Sequence, residues 1–276
     1  MKILSTILIW GLLSFQVLSQ KLTLVSLEDR RSLGNSYFGN RCEIELKTAG
    51  DEARKYKYVK IVALTKAIDS EGTDLLREKA EKYDYEPIGE EKIKIEIKNP
   101  MRKATAIAEL AGTLSFFNPT EANGAILKVA NFQSKPNVNL LPKNAPVSVA
   151  FFTKESLEKL KKEQQAQREA KMKQLDPLSR QLAEGLMGLI EGFSSFGGEN
   201  ELSFLIEGET QKLVDIKFED ATGKEIKRMG RFVSGGNLFS YSFESKPAPD
   251  WRMRVLVETK NSVSTVPFSL KNIELP

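Results

Sequence analysis

No histidine occurs anywhere in the 276 residues and only one cysteine does, so several chemistries are closed to this chain from the outset. Without imidazole there is no Ser-His-Asp or Cys-His couple, no His-ligated zinc or haem and no His proton shuttle. One cysteine cannot form an internal disulfide. A chain of this length needs none, because about 257 mature residues can bury most of their apolar surface in one or two cores. An excess of one charge is also missing: 41 Lys plus Arg against 37 Asp plus Glu leave a net +4, too small and too evenly spread to point to nucleic acid. Gly-x-Ser-x-Gly, His-Glu-x-x-His, phosphate loops and Gly-x-Gly-x-x-Gly are absent. Ser156-Leu157-Glu158-Lys159 fits Ser-x-x-Lys but has neither of the partner motifs of the penicillin-binding proteins. The expectation is a non-enzymatic chain without a cofactor. The alternative within the enzymes is a carboxylate-based hydrolase, whose facing acid pair the scattered carboxylates do not nominate.

What is present begins with a leader. Residues 1–20 carry one cation at Lys2, an apolar run over 3–18, and small or neutral residues at Val17 and Ser19, the pattern of a secretory signal peptide (1–19) cleaved between Ser19 and Gln20. The run is shorter than the roughly 20 residues that span a bilayer. The expected location is secreted or periplasmic.

From 20 to 153 the dominant signal is period-two alternation: 21–27, 42–46, 56–68, 93–97, 106–117, 125–129 and 147–152. In Lys92-Ile93-Lys94-Ile95-Glu96-Ile97-Lys98 isoleucine alternates with charge, which suits a half-buried strand. The same periodicity puts Cys42 on a buried face with Ile44 and Leu46. Residues 199–276 repeat the grammar in five or six strands. Trp251 alternates there with Met253 and Val255 as a core residue does, and Pro267 favours an edge strand. Tyr83 and Tyr85, in a charged stretch, read as exposed loop aromatics. The fold class expected is mostly β: two Ig-like β-sandwich domains, 20–153 and 199–276, with an α-helical hairpin over 154–198.

Two turns echo each other. Asp69-Ser-Glu-Gly-Thr-Asp-Leu75 and Asp220-Ala-Thr-Gly-Lys-Glu-Ile226 share Asp-x-x-Gly-x-acid-aliphatic, in which the Asp carboxylate binds backbone amides and Gly takes a positive φ. The sharper alternative is a calcium loop with Asp69, Glu71 and Asp74 as ligands, although the spacing of EF-type loops is absent.

Over 154–174 the period lengthens to that of a helix capped by Thr153, with seven cations and four glutamates, so this one helix carries the net charge of the mature chain. Asp176-Pro177 starts a second helix, in which Leu178, Leu182, Leu186, Leu189, Phe193 and Phe196 form one apolar stripe. The stripe either packs on a β core or meets a partner or a membrane surface. The stretch 185–198 is similar in composition to glycine-rich viral fusion peptides, which would make the chain a peripheral membrane protein.

Ala67-Ile-Asp-Ser-Glu-Gly-Thr-Asp-Leu-Leu76, Arg102-Lys-Ala-Thr-Ala-Ile-Ala-Glu-Leu-Ala-Gly-Thr-Leu114 and Val266-Pro-Phe-Ser-Leu-Lys-Asn-Ile-Glu-Leu-Pro276 resemble segments of uncharacterised exported β-sandwich proteins of Gram-negative bacteria. The resemblance implies a cell-envelope location and no particular chemistry. The expected role is to bind a protein partner or an envelope component.

Overall fold

The computed structural model describes residues 21–31, 40–49, 55–78, 83–89, 92–156, 158–159, 162, 198–234 and 237–276. The chain is mostly β, in four antiparallel sheets. It divides into two compact units, one of residues 1–117 and 264–276, the other of 118–263.

Unit 1 is built on β1 (Lys21–Arg30), β2 (Arg41–Ala49), β3 (Tyr58–Asp69), β4 (Glu86–Pro87), β5 (Ile93–Ile97), β6 (Ala106–Phe117) and β15 (Val263–Glu274). They form two sheets, ordered β1-β2-β5 and β15-β6-β3-β4. Cys42, Ile44 and Leu46 of β2 stand in register with Ile97, Ile95 and Ile93 of β5, and these side chains share one core with Val59 and Ile61 of β3 and with Ile107, Leu110 and Leu114 of β6. The period-two pattern thus buries one face of each sheet against the other. Gly112 of β6 lies opposite Leu64 beside a pair of β3 bulges, and a Cβ there would stand 2.4 Å from the Ala63 carbonyl oxygen and 2.9 Å from the Phe268 ring. Only glycine lets the three strands approach so closely. Pro267 sits on the sheet's edge strand, β15, as its missing N–H requires.

Unit 2 comprises β7 (Ile126–Val129), β8 (Val147–Phe152), β9 (Glu201–Gly208), β10 (Leu213–Glu219), β11 (Glu225–Ile226), β12 (Gly230–Ser234), β13 (Leu238–Ser242) and β14 (Arg252–Val257). Its sheets run β11-β10-β14-β7 and β12-β13-β9-β8. The core is aromatic: Phe218 meets Phe204, Tyr241 and Phe243 at ring-centre distances of 5.9, 5.4 and 5.2 Å, and Phe243 meets Trp251 at 4.9 Å. Asn131 takes φ 53, a left-handed conformation that asparagine tolerates, and thereby turns Phe132 into this cluster. The two ends of unit 2 are tied together by the Asn118 N–H donating to the Ser262 carbonyl at 2.9 Å.

The units do not divide the chain at 153 and 198. Residues 118–153 were expected with the first sandwich and 264–276 with the second, but β7 pairs with β14, β8 with β9, and β15 joins β6 in unit 1. Alternation reveals which face of a strand is buried and is silent on its neighbour.

Thr153 does cap a helix: residues 154–156, 158–159 and 162 are helical, and the Ser156 N–H donates to Thr153 Oγ1 at 3.3 Å. The signal-peptide segment, most of the basic helix, and the stripe of Leu178, Leu182, Leu186, Leu189, Phe193 and Phe196 lie outside the described residues. Among the described residues no helix is long and apolar enough to cross a membrane.

Candidate functional site

The paired turns carry the same hydrogen bonds. Asp69 Oδ1 accepts the amides of Glu71 and Thr73 at 3.0 and 2.8 Å, and Asp220 Oδ1 those of Thr222 and Lys224 at 2.9 and 3.0 Å. Gly72 and Gly223 take φ 83 and 90. Asp69 is buried and spends its second oxygen on the Met101 amide at 2.9 Å. Burial works against its charge, but the Met101, Thr73 and Glu71 amides more than offset this and hold the carboxyl below its ordinary value. Asp220 is likewise lowered, first by the Thr222 hydroxyl.

This geometry does not bring the three calcium candidates together. Glu71 is drawn to Lys103 at 3.1 Å and Asp74 Oδ1 accepts the Leu76 amide at 3.0 Å, so Asp69, Glu71 and Asp74 each face a different partner. Among the described residues no cluster of three metal-ligating side chains exists. In both turns backbone amides occupy the leading Asp carboxylate and hold the loop in shape.

Cys42 is fully buried, and burial pushes its thiol up to about 12. It is a packing residue at neutral pH, as the alternation of β2 predicts. Tyr85 is not the exposed loop aromatic it was expected to be. Its hydroxyl meets Ser115 Oγ at 2.8 Å, its ring lies 5.3 Å from that of Phe117, and the Lys60 ammonium sits over it at 4.3 Å. Tyr83 is half-buried against the unit 1 core. The charged flanking residues concealed this, because β4 exists only through its pairing with Tyr58 and Val59.

That short strand walls a cleft of about 490 Å³ in unit 1, opening where β5, the edge of one sheet, faces β3 and β4, the edge of the other. Val59, Ile61 and Ile93 give it an apolar floor and are at most 4% exposed. Its rim mixes both charges: Lys60, Lys92 and Lys94 against Asp84, Glu86 and Glu96. Volume, apolar lining and a few convergent polar groups are the attributes of a binding cleft.

Ion pairs stiffen the β5 side. Glu45 receives Lys92 at 2.5 Å and the Ser26 hydroxyl at 2.7 Å, and these bonds pull its carboxyl down to about 2. Glu96 stands directly opposite Glu43 on β2, a like-charge pair relieved by Arg77 at 2.8 Å and Arg41 at 3.4 Å from Glu96. Lys94 reaches Glu43 and Glu45 only at 3.6 Å each and remains 63% exposed. Sequence reasoning identified β5 as a strand but not the cleft, which depends on β5 being an outermost strand. No family model, no curated protein and no solved structure matches the chain.

Proposed function

We propose that the chain is an exported, non-enzymatic protein of the bacterial cell envelope that works by holding a partner, and that the unit 1 cleft is where it holds it. The observation that carries this reading is the cleft's make-up: an apolar floor of Val59, Ile61 and Ile93 beneath a rim of both charges, open on one side between two strand edges. An apolar floor favours contact through burial, and a mixed rim selects by charge pattern rather than by net charge. Export rests on the leader pattern of residues 1–20. The units are taken as Ig-like sandwiches because each buries two antiparallel sheets in one core. The helical hairpin over 154–198 is supported by its capped start at Thr153.

The test has two halves. Protein recovered from its own cells is expected to begin at Gln20 and to fractionate with the envelope. A photo-crosslinking residue at position 94, on the rim, is expected to capture a discrete species that the same residue at exposed Val138 in unit 2 does not. An intact Met1 in the cytoplasm, or identical capture from both positions, overturns the reading.

A further inference from the structure

We infer that unit 2 docks on an anionic lipid surface through residues 224–234, with the edge strand β12 entering the interface edge-on. This surface is independent of the unit 1 cleft and gives the chain a second site of contact with the envelope.

Three of the eight large apolar side chains that are exposed among the described residues fall within five positions: Met229 at 73%, Phe232 at 46% and Val233 at 39%. Single exposed apolar residues are ordinary, whereas a cluster of them on one sheet edge marks a contact surface. The backbone that carries them is fixed. Arg228 donates to both carboxylate oxygens of Asp215 and to the Ile216 carbonyl, and the Met229 N–H donates to the Ser242 carbonyl at 2.8 Å. Met229 is therefore held outward on a rigid mount.

In an antiparallel pair, directly opposite residues share a face. Arg231 and Val233 stand opposite Tyr241 and Phe239, on the side of the aromatic core, and Phe232 stands opposite Ser240, on the other side. Apolar side chains thus project from both faces of β12. A protein laid on one face of this sheet would cover Phe232 and leave Val233 in water. A fluid interface closes around both faces of a ribbon that enters by its edge. Gly235 and Gly236, which join β12 to β13, bring no side chain that could cover either face.

Charge specifies the lipid. The stretch carries Lys224, Lys227, Arg228 and Arg231 against one acid, Glu225, which Lys217 at 2.9 Å and Arg254 at 3.1 Å already neutralise. Lys224, Lys227 and Arg231 are exposed. Cations flanking apolar side chains draw a protein to anionic headgroups and hold it there as the apolar groups enter. A second copy of β12 would set one positive stretch against another, whereas an anionic surface complements it.

The probe is a vesicle of phosphatidylcholine with about one-third phosphatidylglycerol, and binding of the intact chain is read by co-sedimentation. Vesicles of phosphatidylcholine alone are expected to bind at least about tenfold more weakly. Met229→Ser combined with Phe232→Ser should weaken binding to the anionic vesicles about tenfold or more. Lys224→Gln combined with Lys227→Gln should do so by about tenfold. All four side chains are exposed, so the circular dichroism of the sheets should not change. A polarity-sensitive dye on Met229→Cys is expected to shift to the blue on anionic vesicles, and the same dye on exposed Val138→Cys is not, while buried Cys42 stays unlabelled. Undiminished sedimentation of the serine variant, or equal shifts at positions 229 and 138, would place lipid contact elsewhere in the chain and overturn the inference. Absence of binding to either vesicle overturns it too. A shift at position 229 that grows with protein concentration without vesicles would identify a second copy as the occupant, and would also overturn it.

Discussion

Asp69 Oδ2 accepts the Met101 amide at 2.9 Å, tying the turn after β3 to the loop that leads into β6, 32 residues further along the chain. The same carboxylate organises its own turn through Glu71 and Thr73. One buried side chain thus sets both a local conformation and a long-range crossing.

Asp69→Ala would leave three amides without their acceptor and is expected to destabilise unit 1 by about 2 kcal/mol, read from urea denaturation. The pH dependence has a definite sign. Because the folded carboxyl lies below its ordinary value, its contribution is complete above about pH 4 and is lost as pH falls through the folded value. Asp69→Asn, uncharged at every pH, should narrow the gap between the urea midpoints at pH 7 and pH 3. An unchanged gap would show that another carboxylate governs acid unfolding.

Gly112→Ala is expected to cost about 1–3 kcal/mol, because the new Cβ meets a backbone oxygen that no side-chain rotation can move. Gly223→Ala is a useful contrast: the space around its Cβ is open, and only its φ of 90 resists the change. A calorimetric scan in which Gly112→Ala melts with the wild type would contradict the close approach of β3 and β6.

Cys42 should be inert to a disulfide reagent at pH 8 in the native protein and react at the rate of unfolding, since both burial and the raised thiol value suppress the thiolate. Adding urea below the transition should accelerate labelling only in proportion to the unfolded fraction. Prompt stoichiometric labelling in buffer would place the sulfur at the surface.

Phe218→Ala is expected to remove about 3–5 kcal/mol from unit 2, because Phe218 touches Phe132, Phe204, Tyr241 and Phe243 at once. Phe232→Ala on β12, a residue that is 46% exposed, should cost well under half of that in the same denaturation experiment. Similar losses for the two would mean that the aromatic cluster does not carry the core.

Strand positions were largely legible in the sequence. The strands at Ile93–Ile97, Ala106–Phe117 and Val147–Phe152 have the bounds that alternation predicts; the first and last bury every second residue, whereas β6 breaks step between Ile107 and Leu110 and buries all of Leu114 to Phe117. The Asp-x-x-Gly turns were legible because their hydrogen bonds are local. Strand partners were not. β7 and β8 look like a continuation of the first β region and belong with β14 and β9. β4 was missed because two residues with a proline carry no periodicity, and Tyr85 was misread with it. The cleft shares this cause. An outermost strand and a central one can have the same alternation, and only the sheet order separates them.

The Asn118 to Ser262 bond acquires a further meaning when the order of synthesis is considered. Unit 2 is continuous in sequence, whereas unit 1 waits for β15, which emerges only after the whole 118–263 stretch. For an unfolded chain, bringing β15 back to β6 would mean closing a loop of roughly 150 residues. Once unit 2 has folded, its first and last residues lie side by side, and β15 is delivered to the end of β6 as if by a hairpin turn. The inserted unit thereby acts as a folding aid for its host, and truncations within unit 2 should impair unit 1 even though they remove none of its strands.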